Sequence, residues 1–267
     1  VKLCRFKASE KISFGVIEGD SVFEIKDDPL AAGFSGEVKK GTEHKLDKVR
    51  LLPPVMPSKI VAIGLNYKAH AAEFGKPLPE EPMIFIKPST ALIGPEDEIV
   101  YPGHMSHRVD YEGELGVVIG KTAKEVTAKE AAEYILGYTC VNDVTARDLQ
   151  GKDIQYTRAK GFDTFAPIGP SIETGLDPLD ATIQTYLNGQ LKQNTSTKDM
   201  IFNVFQLVSF VTHVMTLLPG DIITTGTPSG IGKMRPGDIV EVRIEGIGGL
   251  KNRVVDGHVA RKLWLDS

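Results

Sequence analysis

The chain has 267 residues, 41% of them apolar and 25% charged, with a net charge of −4 and a pI near 5.9. That is enough for one large domain, or one large and one small, around a sizeable core, and the mild acidity gives nucleic acid no basic cluster to bind. Two cysteines, Cys4 and Cys140, rule out a disulfide scaffold and fit a reducing, cytoplasmic setting. No signal peptide opens the chain. The longest apolar run, 204–218, is broken by Gln206, Ser209, Thr212 and His213 and falls short of the ~18 residues that a membrane span needs.

Residues 1–56 read as a small N-terminal β unit, with 57–267 as a second, catalytic-sized unit. In the first, 12–17 and 22–25 flank Glu18-Gly19-Asp20, a hairpin signal. The Gly- and Lys-rich stretch from Asp27 to Lys48 has little periodicity and is expected to be loop. Pro53, Pro54 and Pro57 punctuate the end of the unit. The next short apolar run, 59–64, is expected to be a buried strand.

His70 and Glu73 follow, spaced to be neighbours on one helical turn, and the Pro- and Gly-rich run 75–82 has the composition of a mobile lid or of an ordinary surface loop. A strand is expected at 83–87 and another at 99–101. His104-x-x-His107 is a poor match to zinc ligand sets and reads as a solvated loop. Thr127-x-x-Glu130 is a capping box, which predicts a helix from Thr127 to about Tyr134. Gly169-Pro170 reads as a turn. Asn188-Gly189 closes a hairpin, and Asn203-x-x-Gln206 opens an amphipathic helix over 203–217, with His213 a structural residue on it. The loop Thr225–Gly232 can present backbone N–H groups to an anion but lacks a P-loop ending. Strands outnumber helices without alternating with them, which predicts an α+β, mostly β fold.

The chemistry concentrates between residues 110 and 160. Glu112 and Glu114, two apart, would share one face of a strand, with Gly113 leaving the other face open to close backbone approach. Asp143 ends the apolar run 134–141 and can bring a third carboxylate to the same place. Charges at the ends of buried strands need partners. An all-oxygen trio suits Mg²⁺, Mn²⁺ or Ca²⁺ rather than Zn²⁺. By spacing alone, the polar face of a solvated strand is an equal reading.

Taken together, Ile63-Gly-Leu-Asn-Tyr-Lys-Ala-His70, Phe85-Ile-Lys-Pro-Ser-Thr90, Val109-Asp-Tyr-Glu-Gly-Glu-Leu-Gly116, Asn142-Asp-Val-Thr-Ala-Arg-Asp-Leu-Gln150, Lys160-Gly-Phe-Asp163 and Gly220-Asp-Ile-Ile-Thr-Thr-Gly-Thr-Pro-Ser-Gly230 resemble the fumarylacetoacetate hydrolase superfamily, over about 58–250. One departure stands out. Gln155-Tyr156 lies where relatives usually have Gln-Trp, and only local packing is expected to change. The resemblance implies a β-roll with a small N-terminal domain, usually a homodimer. It implies Mg²⁺ or Mn²⁺ on Glu112, Glu114 and Asp143, catalytic roles for His70, Glu73 and Lys160, and substrate contacts from Arg147, Gln150, Lys87 and Thr227. The expected substrate is a small 2-oxo or 2,4-dioxo acid that reacts through a metal-stabilised enolate. Hydrolysis of a C–C bond in an acylpyruvate is the first expectation, with isomerisation or decarboxylation as rivals. A non-catalytic module that binds a cation and a carboxylate is the alternative from another class.

Overall fold

Short apolar runs bounded by Gly, Pro and Asp turns dictate short strands, and the computed structural model, which describes residues 1–26, 28–30, 38–73, 75 and 77–257, has twenty of them. The first strands are β1 (Lys2–Ala8), β2 (Lys11–Glu18), β3 (Ser21–Ile25), β4 (Lys40–Lys45) and β5 (Arg50–Leu52). The chain continues through β6 (Ile60–Gly64), α1 (Lys68–Glu73), β7 (Met83–Lys87), β8 (Leu92–Ile93), β9 (Glu98–Tyr101), β10 (Val109–Tyr111), β11 (Gly113–Ile119), β12 (Ile135–Asn142) and β13 (Thr145–Ala146). Two short helices, α2 (Arg147–Lys152) and α3 (Thr157–Lys160), precede β14 (Ala166–Glu173), β15 (Thr182–Leu187) and β16 (Gln190–Ser196). The last elements are α4 (Val204–Val214), β17 (Ile222–Thr224), β18 (Gly232–Met234), β19 (Ile239–Ile244) and β20 (Gly248–Asp256). The fold is mostly β, as the sequence predicts.

A large sheet runs β4-β3-β2-β1-β14-β12-β11-β17-β6-β7, with β5 on β1 and β8 on β14. A second sheet has the order β16-β15-β19-β20-β9, and a third joins β13, β10 and β18. The N-terminal strands have a small core of their own around Cys4, Phe6 and Val22. They also extend the main sheet, because β1 pairs with β14 at Lys2 and Leu3. Leu3 and Val16 share a cluster with Val118, Ile168 and Ile222 from later in the chain. The main core lies between the large sheet, the face of β15 and β19, and α4. On α4 the Asn203 side chain accepts from Gln206 N at 3.1 Å and the Gln206 side chain accepts from Asn203 N at 2.9 Å. Its buried stripe, Val204, Leu207, Val208 and Val211, gives the helix its place, each such side chain contributing about 1.5–3 kcal/mol on burial. No helix among the described residues is long and apolar enough to cross a membrane.

Four local expectations are corrected. Within 27–48, Asp27 and 31–37 lie outside the described residues, but Lys40–Lys45 is strand, not loop. It is an edge strand on β3 with almost every side chain exposed, so it needs no apolar alternation. The capping contacts of Thr127 with Glu130 form, at 2.6 Å through the hydroxyl, yet they cap a turn followed by a 3₁₀ segment at Ala131–Tyr134 rather than an α-helix. Gly169-Pro170 is not a turn. It lies within β14, where the register to β12 shifts and a residue without an N–H is tolerated. Finally α4 ends at Val214, three residues early, because Met215 turns to extended backbone (φ −151°).

Candidate active site

The strand pair built from β10–β11 and β12–β13 changes sheets midway, and the carboxylates sit at that change. β10 pairs with β13 in the small sheet, while β11 pairs with β12 in the large one. Glu112 is the residue between β10 and β11. Asp143 follows β12 directly, and its N–H donates to the Glu112 carbonyl at 2.8 Å. Asn142 Oδ1 accepts from Glu112 N at 3.0 Å, which secures the bend. Glu114 lies one step into β11. Gly113 between them is required, since a Cβ there would lie 2.0 Å from Thr185 Oγ1 on β15. One carboxylate oxygen from each of Glu112, Glu114 and Asp143 lies within 4.8 Å of the others, and all three residues are buried.

Three cations surround this trio. Lys160, at the end of α3, places Nζ 2.9 Å from Glu112 Oε2 and 2.5 Å from Asp143 Oδ2. Arg147 opens α2 and donates to Asp110 Oδ2 at 3.0 Å, to Glu112 and to Gln150. Lys87 donates to Asp143 Oδ1 at 2.6 Å and to the Val144 carbonyl at 3.2 Å. Burial alone would push the Glu112 carboxyl up, but Lys160 and Arg147 reverse this and hold it below the usual carboxylate range. Glu114 goes the other way. Burial, then the nearby charges of Asp143 and Glu112, raise it well above that range, even though its Oε2 accepts from Gly226 N at 2.9 Å. Burial disfavours the Lys160 ammonium, yet Asp143 and Glu112 raise its pKa overall. Burial lowers that of Lys87. Three buried carboxylates this close, offering only oxygen, fit a hard divalent ion, which would relieve their mutual repulsion.

Glu112 and Glu114 of the trio open onto a cavity of about 240 Å³. His70, on α1, lines it and sits with Nδ1 3.1 Å from Glu73 Oε2. The other Glu73 oxygen accepts from Gly230 N at 3.5 Å. Thr227 and Gln150 also line the cavity. Thr227 is fixed from both sides, donating to the Gly113 carbonyl at 3.0 Å and accepting from Gln193 Nε2 at 2.9 Å. In the Thr225–Gly232 loop the N–H groups of Gly226 and Gly230 thus meet the chain's own carboxylates. His104 and His107 belong to no three-residue metal cluster among the described residues.

Nine of the ten site residues expected from the sequence meet at this cavity or in the groups bonded to its wall. Lys87 is the exception. It is completely buried, is not among the cavity's lining residues, and donates to Asp143 Oδ1. Tyr156 lines the cavity and packs edge-on against Phe85, ring centroids 5.4 Å apart. Three supporting residues escape sequence reasoning. Asp110 orients Arg147, and its two-residue spacing from Glu112 was the available signal. Asn66 ties the end of β6 to the Phe202 and Thr225 carbonyls at 3.0 and 2.8 Å. Gln193, on a hairpin 80 residues from Gly113, accepts from that glycine's N–H at 3.0 Å, a contact with no local signal.

The chain is similar to known proteins along most of its length. A family model for an N-terminal region, described as Rv2993c-like, matches residues 1–54. Among solved structures, a 5-carboxymethyl-2-hydroxymuconate delta-isomerase from Mycobacterium smegmatis is 45% identical, with a TM-score of 0.88, over 96% of this chain and 100% of that one. A 2,4-didehydro-3-deoxy-L-rhamnonate hydrolase from Sphingomonas is 39% identical over 95% of this chain and 96% of its own. The oxaloacetate tautomerase YisK of Bacillus subtilis is 40% identical over 79% of this chain and 75% of its own. The family model for the fumarylacetoacetate hydrolase C-terminal region matches residues 59–255, and the chain belongs to this family of enzymes.

Proposed function

We propose that the protein is a divalent-metal-dependent enzyme for small 2-oxo or 2,4-dioxo acids, and that its reaction is hydrolysis of a C–C bond in an acylpyruvate. The observation that carries this is one cavity lined both by two of three converging carboxylates and by the histidine of a His–Glu pair on a separate helix. Glu112, Glu114 and Asp143 would hold Mg²⁺ or Mn²⁺, which supplies Lewis-acid polarisation of the substrate's 2-oxo group. Arg147 has the fork geometry for a carboxylate, and Lys160 brings a point charge. Gln150 and Thr227 offer hydrogen bonds to substrate oxygens.

His70 is the general base in this reading, with Glu73 orienting its ring. It takes a proton from water, and the resulting hydroxide adds to the distal carbonyl carbon. When the C–C bond breaks, its electron pair passes to the carbon next to the 2-oxo group, giving pyruvate as its enolate. The enolate carbon then takes back the proton held on His70. Lys160 faces the developing negative charge throughout. The isomerase and tautomerase relatives favour a second reading, in which the same His70 only moves a proton between carbon and oxygen and no bond to carbon is cut.

The deciding experiment offers acetylpyruvate to the protein with Mg²⁺, with Mn²⁺ and with EDTA. Release of pyruvate and acetate that EDTA abolishes is the expected result. Metal-dependent exchange of the C3 protons in deuterated water without cleavage would replace hydrolysis by tautomerisation. No metal-dependent change in any oxo acid would favour a non-catalytic binding module.

A further inference from the structure

The cavity is charged on one part of its lining and apolar on another, and this bears on which oxo acid it takes. Glu112, Glu114, Arg147 and Lys160 come from β10–β11, α2 and α3. The apolar part of the lining is Ile63, Leu65, Pro79, Met83, Phe85 and Tyr156, and His70, Gln150 and Thr227 are its other polar members. Ile63 belongs to β6 and Leu65 follows it directly, while Met83 and Phe85 point the same way from β7. In the sheet order these strands are the second and third neighbours of β11. Among the described lining residues, both lysine and arginine side chains are already committed to the carboxylate cluster. Arg147 faces Asp110 and Glu112, and Lys160 faces Glu112 and Asp143. Phe85 marks the border, its ring centroid 5.2 Å from Lys160 Nζ.

We infer that the site selects 2-oxo monoacids with a short uncharged tail over dicarboxylates of the same length. The inference rests on the reading of the site proposed above and narrows its substrate class. The acid's own carboxylate and 2-oxo group engage the charged lining. The tail then runs against the apolar wall. A second carboxylate against that wall would lose its hydration without gaining a lysine or arginine, which is costly for an ionised group. A methylene in the same place gains roughly fourfold in affinity when fully buried. The cavity, at about 240 Å³, is smaller than the pockets of drug-sized ligands and keeps the tail short.

The test compares two non-cleavable acids of equal length, 2-oxovalerate and 2-oxoglutarate, by titration calorimetry on the full chain in Mg²⁺. The monoacid is expected to bind at least about tenfold tighter. Met83→Arg, which places a cation on the apolar wall, is expected to raise 2-oxoglutarate affinity about tenfold while Mg²⁺ affinity stays the same. Equal or tighter binding of 2-oxoglutarate by the unaltered protein, with both acids requiring Mg²⁺, overturns the selectivity and leaves the proposed oxo-acid site standing. A Met83→Arg variant that binds Mg²⁺ normally but gains nothing for 2-oxoglutarate also overturns it. Failure of both acids to bind in Mg²⁺ removes the selectivity together with the reading beneath it.

Discussion

Replacing Lys87 by Met tests the charge balance of the site where solvent cannot blur it. The methionine side chain is close in length to lysine and stays within an enclosed volume, so the main change is loss of the ammonium. Lys87 is completely buried and contacts Asp143 Oδ1 at 2.6 Å and the Val144 carbonyl at 3.2 Å. Its removal leaves Asp143, also buried, with Lys160 as its remaining cationic contact. Breaking one partner out of a buried pair costs about 3–5 kcal/mol. For a chain of this size each kcal/mol shifts Tm by roughly 2–4 °C, so a fall of roughly 6–20 °C is expected in EDTA. Saturating Mg²⁺ should return part of the loss, because an ion on Asp143 supplies positive charge and binds only the folded protein. Differential scanning fluorimetry in EDTA and in Mg²⁺ reads both effects. A loss of less than about 1 kcal/mol in EDTA would show that Asp143 does not depend on Lys87, and the account of the buried charges would be wrong.

Glu112→Ala should abolish tight Mg²⁺ binding by calorimetry and turnover together, and full activity in this variant would overturn the ligand assignment. His70→Ala should lower hydrolysis of acetylpyruvate by roughly 10²–10⁴ while decarboxylation of oxaloacetate falls less; equal losses would argue against water activation. At Asp221, burial alone would raise the carboxyl, but hydrogen bonds from Lys59, Ser58 and Leu218 lower its pKa overall. The Asp221 oxygens accept from Lys59 Nζ at 2.6 Å, from Ser58 Oγ at 2.6 Å and from Leu218 N at 2.8 Å. A depressed folded-state pKa gives stability that is present above the unfolded value, about 3.9, and is lost as pH falls through the folded one. Asp221→Asn should therefore cost about 1.5–3 kcal/mol at pH 7, a difference that narrows below about pH 4 in denaturant melts; a cost independent of pH would remove the charge from the explanation.

What the sequence could say by itself was local. Glu-x-Glu spacing aimed two side chains one way, His70 and Glu73 fell on one helical turn, and the Asn203–Gln206 box marked the start of α4. Each of these depends on neighbours within four residues, where backbone periodicity dictates direction. The edge strand β4 and the 3₁₀ segment at Ala131–Tyr134 were misread because their states are set by a pairing strand and by packing rather than by their own residues. Only the tertiary structure decided that the strand pair switches sheets at Glu112 and Asp143, that Lys87 is buried against Asp143 away from the cavity lining, and that Tyr156 forms part of the cavity wall. Those facts depend on contacts between segments dozens of residues apart, such as Gln193 with Gly113 and Thr227. Such pairings are chosen by which faces must be buried together, and a linear string of residues carries no record of that choice.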